Sequence, residues 1–219
     1  MSFAVIIPRD SHDSSIQYHP DSQGCQPMRL ILNLFVSGCL LMSLAGSAFF
    51  TGCVSWQPPA FDLEGKPVDP FVEKNSIATV LIFISDDCPI SNRYVPEFRR
   101  LQDEYAGRGI SFWLVHADAT ETATGIREHA RQFGLTMREI RDPEHRLVRL
   151  SHAEVTPTAA VFTPGRTLVY HGRIDDRAVS LGLERPAPTQ KDLVQALDAV
   201  LAGRPVPVPV TQAVGCLIP

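Results

Sequence analysis

Cysteine is the residue type whose placement in this sequence most clearly indicates chemistry. The ionised sulfur of a cysteine is the species that attacks disulfides and peroxides. Cys88 follows a continuous apolar run and is itself followed by Pro89 and a helix pattern. A sulfur at the N-terminus of a helix faces the positive end of the helix dipole and free backbone N–H groups, and both lower its pKa. The sequence therefore predicts that Cys88 is a nucleophile.

Two acidic residues directly before Cys88 oppose this activation. Asp86 and Asp87 carry negative charge, which disfavours a second anion nearby. We expect the two effects to cancel in part. The result would be a moderately acidic thiol, with a pKa above about 5.

The N-terminal region has the pattern of an export signal. Residues 30–52 carry no charge, follow Arg29 and end in small residues, which is typical of a secretory signal. Ordinary cleavage near residues 46–48 and an uncleaved membrane-spanning segment are the alternatives. Residues 1–27 are polar and precede this signal. The simplest hypothesis is therefore that translation starts at Met28 and not at the first methionine.

The end of the apolar run indicates what happens to the exported chain. Residues 50–53 are Phe-Thr-Gly-Cys and resemble a bacterial lipobox. This resemblance implies cleavage before Cys53, lipidation of its sulfur and stable attachment to a membrane through several lipid chains. We therefore predict an exported protein of the cell envelope or periplasm that is attached to a membrane by lipid.

Export changes which cysteines can react, because disulfides form outside the cytoplasm. Cys25 and Cys39 would leave with the signal, and a lipidated Cys53 has no free thiol. Cys216 is then the only intramolecular partner available to Cys88. Three outcomes stay open: reversible disulfide exchange, a permanent disulfide staple, and an inert thiol in the tail.

The composition is that of one globular domain. Of 219 residues, 44% are apolar and 20% are charged, and the net charge is -4. The chain therefore lacks the basic surface that nucleic-acid binding requires. We divide it into an N-terminal extension with the signal (1–53), a linker (54–60), a domain (61–203) and a proline-rich tail that ends in a cysteine (204–219).

Hydrophobic periodicity predicts the elements that position Cys88. A buried-strand pattern covers residues 78–84, and apolar residues at helical spacing from 95 to 105 predict the helix that follows. The other predictions are a hairpin over 61–68, strands at 110–115, 137–140, 159–162 and 167–170, and helices at 122–133, 144–150 and 191–201, the last capped by Thr189. This order predicts an α/β fold with helices on both faces of a sheet.

The C-terminal tail has an unusual composition. Residues 204–210 alternate proline with valine, which favours an extended polyproline conformation. The residues around Cys216 are apolar, which is not typical of a solvated tail. We therefore predict that residues 204–219 return as a strap along the surface of the domain.

Two features together resemble the thioredoxin superfamily. One is the strand, short loop and helix around Cys88-Pro89, and the other is Thr156-Pro157 directly before a strand. Three segments are also similar to bacterial redoxin-domain proteins of the peroxiredoxin and thiol-disulfide oxidoreductase group, namely residues 88–97, 170–177 and 213–218. The resemblance implies a thioredoxin-like central mixed β-sheet flanked by helices and a cis Pro157 that faces the cysteine. The active-site shell that it implies consists of Ser85, Pro89, Ser91, Thr156 and Pro157.

Departures from the family patterns limit the reactions that Cys88 can perform. The dithiol form of the superfamily has a second cysteine three residues after the first, where this chain has Ser91. A serine cannot resolve a mixed disulfide, so Cys88 either acts alone or is resolved by Cys216. The peroxiredoxin pattern has Ser or Thr three residues before the cysteine, which Ser85 satisfies, and proline seven residues before it, where Leu81 stands.

The sequence and the resemblance together predict an exported thiol-disulfide oxidoreductase that acts through Cys88, without a metal or a cofactor. Its expected partners are protein thiols and disulfides, or peroxide, and an electron donor on the membrane side. The alternatives are a peroxiredoxin-like thiol peroxidase and a non-enzymatic module that is disulfide-stapled or copper-handling. Five histidines are predicted to be surface or hydrogen-bonded core residues and not ligands: His116, His129, His145, His152 and His171.

Overall fold

The computed structural model describes residues 59–219 of the chain. The predictions for the export signal, the start at Met28 and the lipidation of Cys53 lie outside the described residues. Within residues 59–219, no helix combines the length and the apolar character needed to cross a membrane.

Residues 59–219 form eleven strands and four α-helices. The strands are β1 (Ala60–Phe61), β2 (Pro67–Val68), β3 (Ala78–Ile84), β4 (Ile110–His116), β5 (Arg138–Arg141), β6 (Val155–Thr156), β7 (Thr158–Thr163), β8 (Thr167–Gly172), β9 (Ala178–Ser180), β10 (Leu183–Glu184) and β11 (Cys216–Leu217). The helices are α1 (Pro89–Tyr105), α2 (Ala123–Phe133), α3 (Arg146–Ser151) and α4 (Asp192–Leu201), and a 3₁₀ turn at Ala106–Arg108 follows α1.

Seven strands form one mixed sheet in the order β2-β1-β5-β4-β3-β7-β8. β3, β4 and β5 are parallel, whereas β7 and β8 on one side and β1 and β2 on the other pair antiparallel with their neighbours. All seven residues of β3 are buried, as its continuous apolar run predicts. The predicted α/β fold with a central mixed sheet is confirmed.

Helices pack on both faces of the sheet and create two cores. One core joins the sheet to α1 and α4 and includes Phe98, Leu101 and Leu197. The other core includes Phe83 of β3 and Leu147 of α3. Cys88 belongs to the first core, at the point where β3 leads into α1.

The predicted cap of the last helix is wrong. α4 begins at Asp192, and its N-cap residue is Lys191. Thr189 instead donates its backbone N–H at 2.7 Å and its hydroxyl at 2.5 Å to the carboxylate of Asp176. The Thr189 hydroxyl is therefore hydrogen-bonded to the buried Asp176 carboxylate and does not cap the helix.

The C-terminal tail contacts the domain at two places. His171 N–H donates to the carbonyl oxygen of Pro209 at 3.0 Å, and Thr211 N–H donates to the carbonyl oxygen of His171 at 3.1 Å. Further along, β11 pairs antiparallel with β6, which places Cys216 opposite Thr156. The tail thus brings its cysteine to the strand that precedes β7. The sequence patterns did not predict the short strands β6, β9, β10 and β11.

Candidate active site

Cys88 lies at the carboxyl end of β3, where the chain leaves the sheet. It is the N-cap residue of α1, and it is 0% exposed to solvent. Its Sγ donates to the carbonyl oxygen of Thr156 at 3.1 Å. The Thr156–Pro157 peptide bond is cis, as the family resemblance implies. The loop after β3 and the segment before β7 therefore meet at the sulfur.

The surroundings of the Cys88 sulfur favour the thiolate. Burial raises the pKa of Cys88, but hydrogen bonds from Cys216, Ser91 and Thr156 outweigh it and lower the pKa to about 7. The hydroxyl oxygens of Ser91 and Thr156 are buried and have no other hydrogen-bond partner. An ionised sulfur would therefore give both hydroxyls an acceptor. This agrees with the expected moderately acidic thiol, although burial and not the preceding aspartates is the largest opposing effect.

Cys216 lies beside this sulfur on the tail strand β11. Both cysteines are free thiols in this structure. Burial, the hydrogen bond with Cys88 and the negative charge of Cys88 raise the pKa of Cys216 to about 11. Near neutral pH, Cys216 therefore keeps its proton and can donate its S–H to Cys88 whenever that sulfur is ionised. The structure brings together the two cysteines on which the sequence analysis concentrated.

The other members of the predicted site shell have different surroundings. Pro157 is buried, whereas Pro89 is exposed and is the first residue of α1. The hydroxyl of Ser85 donates to Oδ1 of Asp87 at 2.7 Å. Ser85 and Pro89 therefore shape the active-site loop and the start of the helix.

A buried charged network that the sequence analysis missed lies next to the active-site loop. His116 is the last residue of β4, and its Nδ1 lies 2.8 Å from Oε2 of Glu121. Its Nε2 lies 3.6 Å from Oε1 of Glu139 on β5. Burial lowers the pKa of His116, but the hydrogen bond with Glu121 and the charges of Glu121 and Glu139 outweigh burial and raise it. The two carboxylates therefore favour the charged form of the imidazole.

Glu121 connects this network to the loop that carries Cys88. The backbone N–H of Asp86 donates to Oε1 of Glu121 at 2.9 Å. On the helix side, Asn92 Nδ2 donates to the carbonyl oxygen of Asp86 at 3.1 Å, and its Oδ1 lies 2.7 Å from Nε2 of His129. Burial and the charge of Glu121 raise the pKa of Asp86. The Asp86 carboxyl is therefore less readily ionised than a carboxyl in water.

A cavity of about 250 Å³ opens between the active-site loop and the end of the tail. Its lining includes Ser85, Asp87, Cys216 and Leu217, so it borders Cys216 and the loop before Cys88. Among residues 59–219, no group of three or more His, Cys, Asp or Glu side chains is arranged to hold a metal ion.

Comparisons with protein-family models and with curated proteins give no match to this chain. Solved structures are similar to it: a hypothetical protein from Sinorhizobium meliloti is 27% identical with a TM-score of 0.62, over 73% of this chain and 88% of its own. An uncharacterized conserved protein from Geobacillus kaustophilus is 27% identical with a TM-score of 0.58, over 74% of this chain and 89% of its own.

A third similar structure carries a functional name. The protein from Chlorobium tepidum that is provisionally named as the thiol:disulfide interchange protein DsbE is 19% identical with a TM-score of 0.51, over 65% of this chain and 92% of its own. The fold is thioredoxin-like, with a cysteine at the start of α1 and a cis-proline segment facing it. The resemblance predicted from the sequence is confirmed at this level.

Proposed function

We propose that this protein is an exported thiol-disulfide oxidoreductase in which Cys88 is the nucleophile and Cys216 resolves the mixed disulfide. The observation that carries the proposal is geometric: β11 places Cys216 opposite Thr156, whose carbonyl oxygen accepts from the Cys88 thiol at 3.1 Å. The two thiols have different pKa values, about 7 for Cys88 and about 11 for Cys216. Since the thiolate is the attacking species, this difference assigns the two roles. Export rests on the uncharged segment at residues 30–52. A thiol:disulfide interchange name on a protein of the same fold is compatible with this activity.

The proposed reaction transfers two electrons from the cysteine pair to a target disulfide. The Cys88 thiolate attacks one target sulfur and forms a bond to it, and the second target sulfur leaves as a thiolate that takes a proton from water. Cys216 then loses its proton and attacks Cys88 Sγ. The Cys88–Cys216 disulfide forms, and the target is released as a dithiol. An external dithiol reduces the cysteine pair again, and the reverse sequence oxidises a target dithiol.

The first step of this reaction prepares the second. Burial raises the pKa of Cys216, and the hydrogen bond and negative charge of the Cys88 thiolate raise it further. When the Cys88 sulfur is bonded to a target, that charge is gone, so the pKa of Cys216 falls. Cys216 therefore becomes a better nucleophile only when a mixed disulfide is present to be resolved.

Trapping of the mixed disulfide tests this assignment. In the full-length Cys216→Ser variant, we expect an oxidised protein substrate such as insulin to accumulate as a one-to-one mixed disulfide at Cys88, identified by non-reducing mass spectrometry. The Cys88→Ser variant should lose reduction of insulin in the presence of dithiothreitol. Undiminished activity in Cys88→Ser, or no trapped species in Cys216→Ser, would contradict the proposal.

A permanent disulfide staple is the second function that the nearness of Cys88 and Cys216 supports. Structural disulfides have reduction potentials below about -300 mV, whereas those of catalytic dithiols lie between about -120 and -270 mV. We expect equilibration with glutathione buffers to give a value in the catalytic range. A thiol peroxidase has less support, because the Ser85 hydroxyl is bonded to Asp87 at 2.7 Å. Stopped-flow measurement of peroxide consumption tests that alternative.

The proposal also includes lipid attachment at Cys53 and an electron donor on the membrane side. It rests on the lipobox-like residues 50–53 and on the need for a dithiol that reduces the cysteine pair. We expect labelled palmitate to be incorporated into the protein and to be lost in Cys53→Ala. An unlabelled protein that is released without detergent would contradict this part and leave the thiol chemistry in place.

A further inference from the structure

The reactive sulfur is buried, and the tail of the same chain lies beside it. Cys88 is 0% exposed, yet the proposed function requires it to meet a target disulfide. On one side of the sulfur lie β3 and α1, whose residues form the packed core. On the other side, β11 pairs with β6 and places Cys216 opposite Thr156, whose carbonyl oxygen accepts from the Cys88 thiol. The tail is therefore the part that has to move.

We propose that residues 213–219 of this chain are a tethered mimic of its partner: they occupy the edge of β6 in the resting state, and an extended partner segment with the same glycine-cysteine pattern displaces them. The proposal rests on the proposed function, since it names the partner of the same thiol. A partner would displace β11, pair with β6 in its place and set its own cysteine where Cys216 now lies. The tail thus covers Cys88, and its sequence indicates which partner segments can bind beside Cys88.

The contacts of β11 are those of a segment that can detach. The strand is two residues long, and Leu217 is 81% exposed. Beyond the strand, the backbone N–H of Ile218 donates to the carbonyl oxygen of Glu154 at 3.0 Å. A peptide from another protein can make the same backbone hydrogen bonds, because pairing along a strand edge depends on the main chain.

Side chains around β11 specify the chemistry of the partner. A Cβ on residue 215 would lie 2.0 Å from the carbonyl oxygen of Thr156 and 2.6 Å from its carbonyl carbon. In this register, the residue before the cysteine therefore has to be glycine. The residue after the cysteine is free to vary, because Leu217 is 81% exposed. The next position favours an aliphatic residue, since Ile218 packs against the second core.

The partner is therefore an extended segment with the pattern glycine, cysteine, any residue, aliphatic residue. Peptide substrates test this pattern in the full-length Cys216→Ser protein, which cannot resolve the product. The probe is the peptide Ala-Val-Gly-Cys-Leu-Ile-Pro with its cysteine joined to thionitrobenzoate. Attack by the Cys88 thiolate forms a bond to the peptide sulfur and releases the coloured thionitrobenzoate anion, which is followed by absorbance.

The matched control peptide has valine in place of glycine. We expect the glycine peptide to react at least about tenfold faster than the valine peptide, which is the size of an overpacking penalty at one position. Equal rates for the two peptides would overturn the docking proposal while leaving the proposed function intact. Release of thionitrobenzoate by neither peptide would overturn both.

A second experiment tests the tail as a cover, independently of any substrate. Gly215→Val in the Cys216→Ser background should prevent β11 from pairing with β6. Alkylation of Cys88 by iodoacetamide at about pH 9, where the thiol is ionised and the rate reports access, should then rise at least about tenfold. Leu217→Ala is the matched control, and its rate should stay that of the background.

Peptide mapping by mass spectrometry assigns the alkylation to Cys88, and circular dichroism confirms that each variant is folded. A folded Gly215→Val variant with the same alkylation rate as Leu217→Ala would show that the tail does not cover the sulfur. The proposal would then be wrong, whatever the peptides do.

Discussion

Cys88 lies between two regions of the protein that are held in different ways. On the sheet side, the side chains of His116 and Glu121 are 0% and 4% exposed, and Glu121 accepts from the backbone N–H of Asp86 in the active-site loop. On the tail side, Leu217 of the two-residue strand β11 is 81% exposed. One region is built from buried charges, the other from a short and partly solvated strand.

The difference separates two tasks that a thiol enzyme must perform. A buried ion pair is costly to break, because each charge loses its partner without gaining water. The network beside the loop therefore keeps the backbone around the sulfur in one geometry. A strand at the surface exchanges its hydrogen bonds for bonds to water at little cost. Access to the sulfur can thus vary while its surroundings stay constant.

The largest expected effect comes from breaking the buried network. Glu121→Ala removes the partner of a buried His116 and an acceptor for the Asp86 N–H. We expect a loss of about 3 kcal/mol in the free energy of unfolding, measured with urea. Glu128→Ala is the control, because Glu128 forms an exposed pair with Arg131 and should cost less than about 0.5 kcal/mol. A loss below about 1 kcal/mol for Glu121→Ala would remove the contrast between the two regions.

The pH dependence of the free energy of unfolding should reflect the pKa shifts of His116 and Glu121 in the same network. Burial lowers the pKa of His116, but the glutamates outweigh burial and raise the pKa above its ordinary 6.5. The stabilisation that His116 contributes is therefore complete below pH 6.5 and is lost as the pH rises through the raised pKa. Burial raises the pKa of Glu121, but His116 outweighs burial and lowers the pKa below its ordinary 4.5. The stabilisation that Glu121 contributes is therefore present above pH 4.5 and is lost as the pH falls through the lowered pKa.

The network should therefore contribute most between about pH 4.5 and 6.5. We expect the free energy of unfolding of the unchanged protein to fall above this range by about 1.4 kcal/mol for each unit by which the pKa of His116 is raised. His116→Gln lacks this titration, so its stability should depend less on pH from neutral to alkaline conditions. Parallel pH profiles for the two proteins would contradict the assignment of a charged His116.

The fold was predictable where the signal is local. The apolar run of β3 and the helical spacing of α1 each lie within one stretch of sequence, and both elements are observed at the expected places. The cap of α4 was wrong because Thr189 bonds to Asp176, which lies in an earlier turn. β11 exists only through its pairing with β6, and no pattern in two residues predicts such a partner.

Of the site, the sequence predicted the two cysteines but not the charged network beside them. Cys88 follows a buried strand, and Cys216 followed from elimination among the five cysteines. His116 was missed because its two partners, Glu121 and Glu139, come from a loop and from β5. One available signal is the position of His116 at the carboxyl end of β4, in register with Ile84 at the end of β3. A histidine at that end of a buried parallel strand is expected near the site.

A smaller effect is expected from the tail on the pKa of the Cys88 thiol. Burial raises the pKa of Cys88, but hydrogen bonds from Cys216, Ser91 and Thr156 outweigh it and lower the pKa to about 7. Cys216→Ala should therefore raise this pKa by about one unit, measured as the midpoint of alkylation rate against pH. Ser91→Ala should shift it in the same direction by less, and Ser180→Ala, an exposed serine on β9, should not shift it. An unchanged midpoint in Cys216→Ala would confine the activation of Cys88 to the helix and loop.

The smallest expected effect is that of the tail on global stability. Gly215→Val forces β11 away from β6, because a Cβ there would lie 2.0 Å from the carbonyl oxygen of Thr156. Since the segment is short and partly exposed, we expect the free energy of unfolding in urea to fall by less than about 1 kcal/mol. Hydrogen exchange should agree, with fast exchange at Leu217 and slow exchange along β3. A loss as large as that of Glu121→Ala would mean that the tail belongs to the cooperative core, and Cys88 could then be reached only through unfolding of the domain.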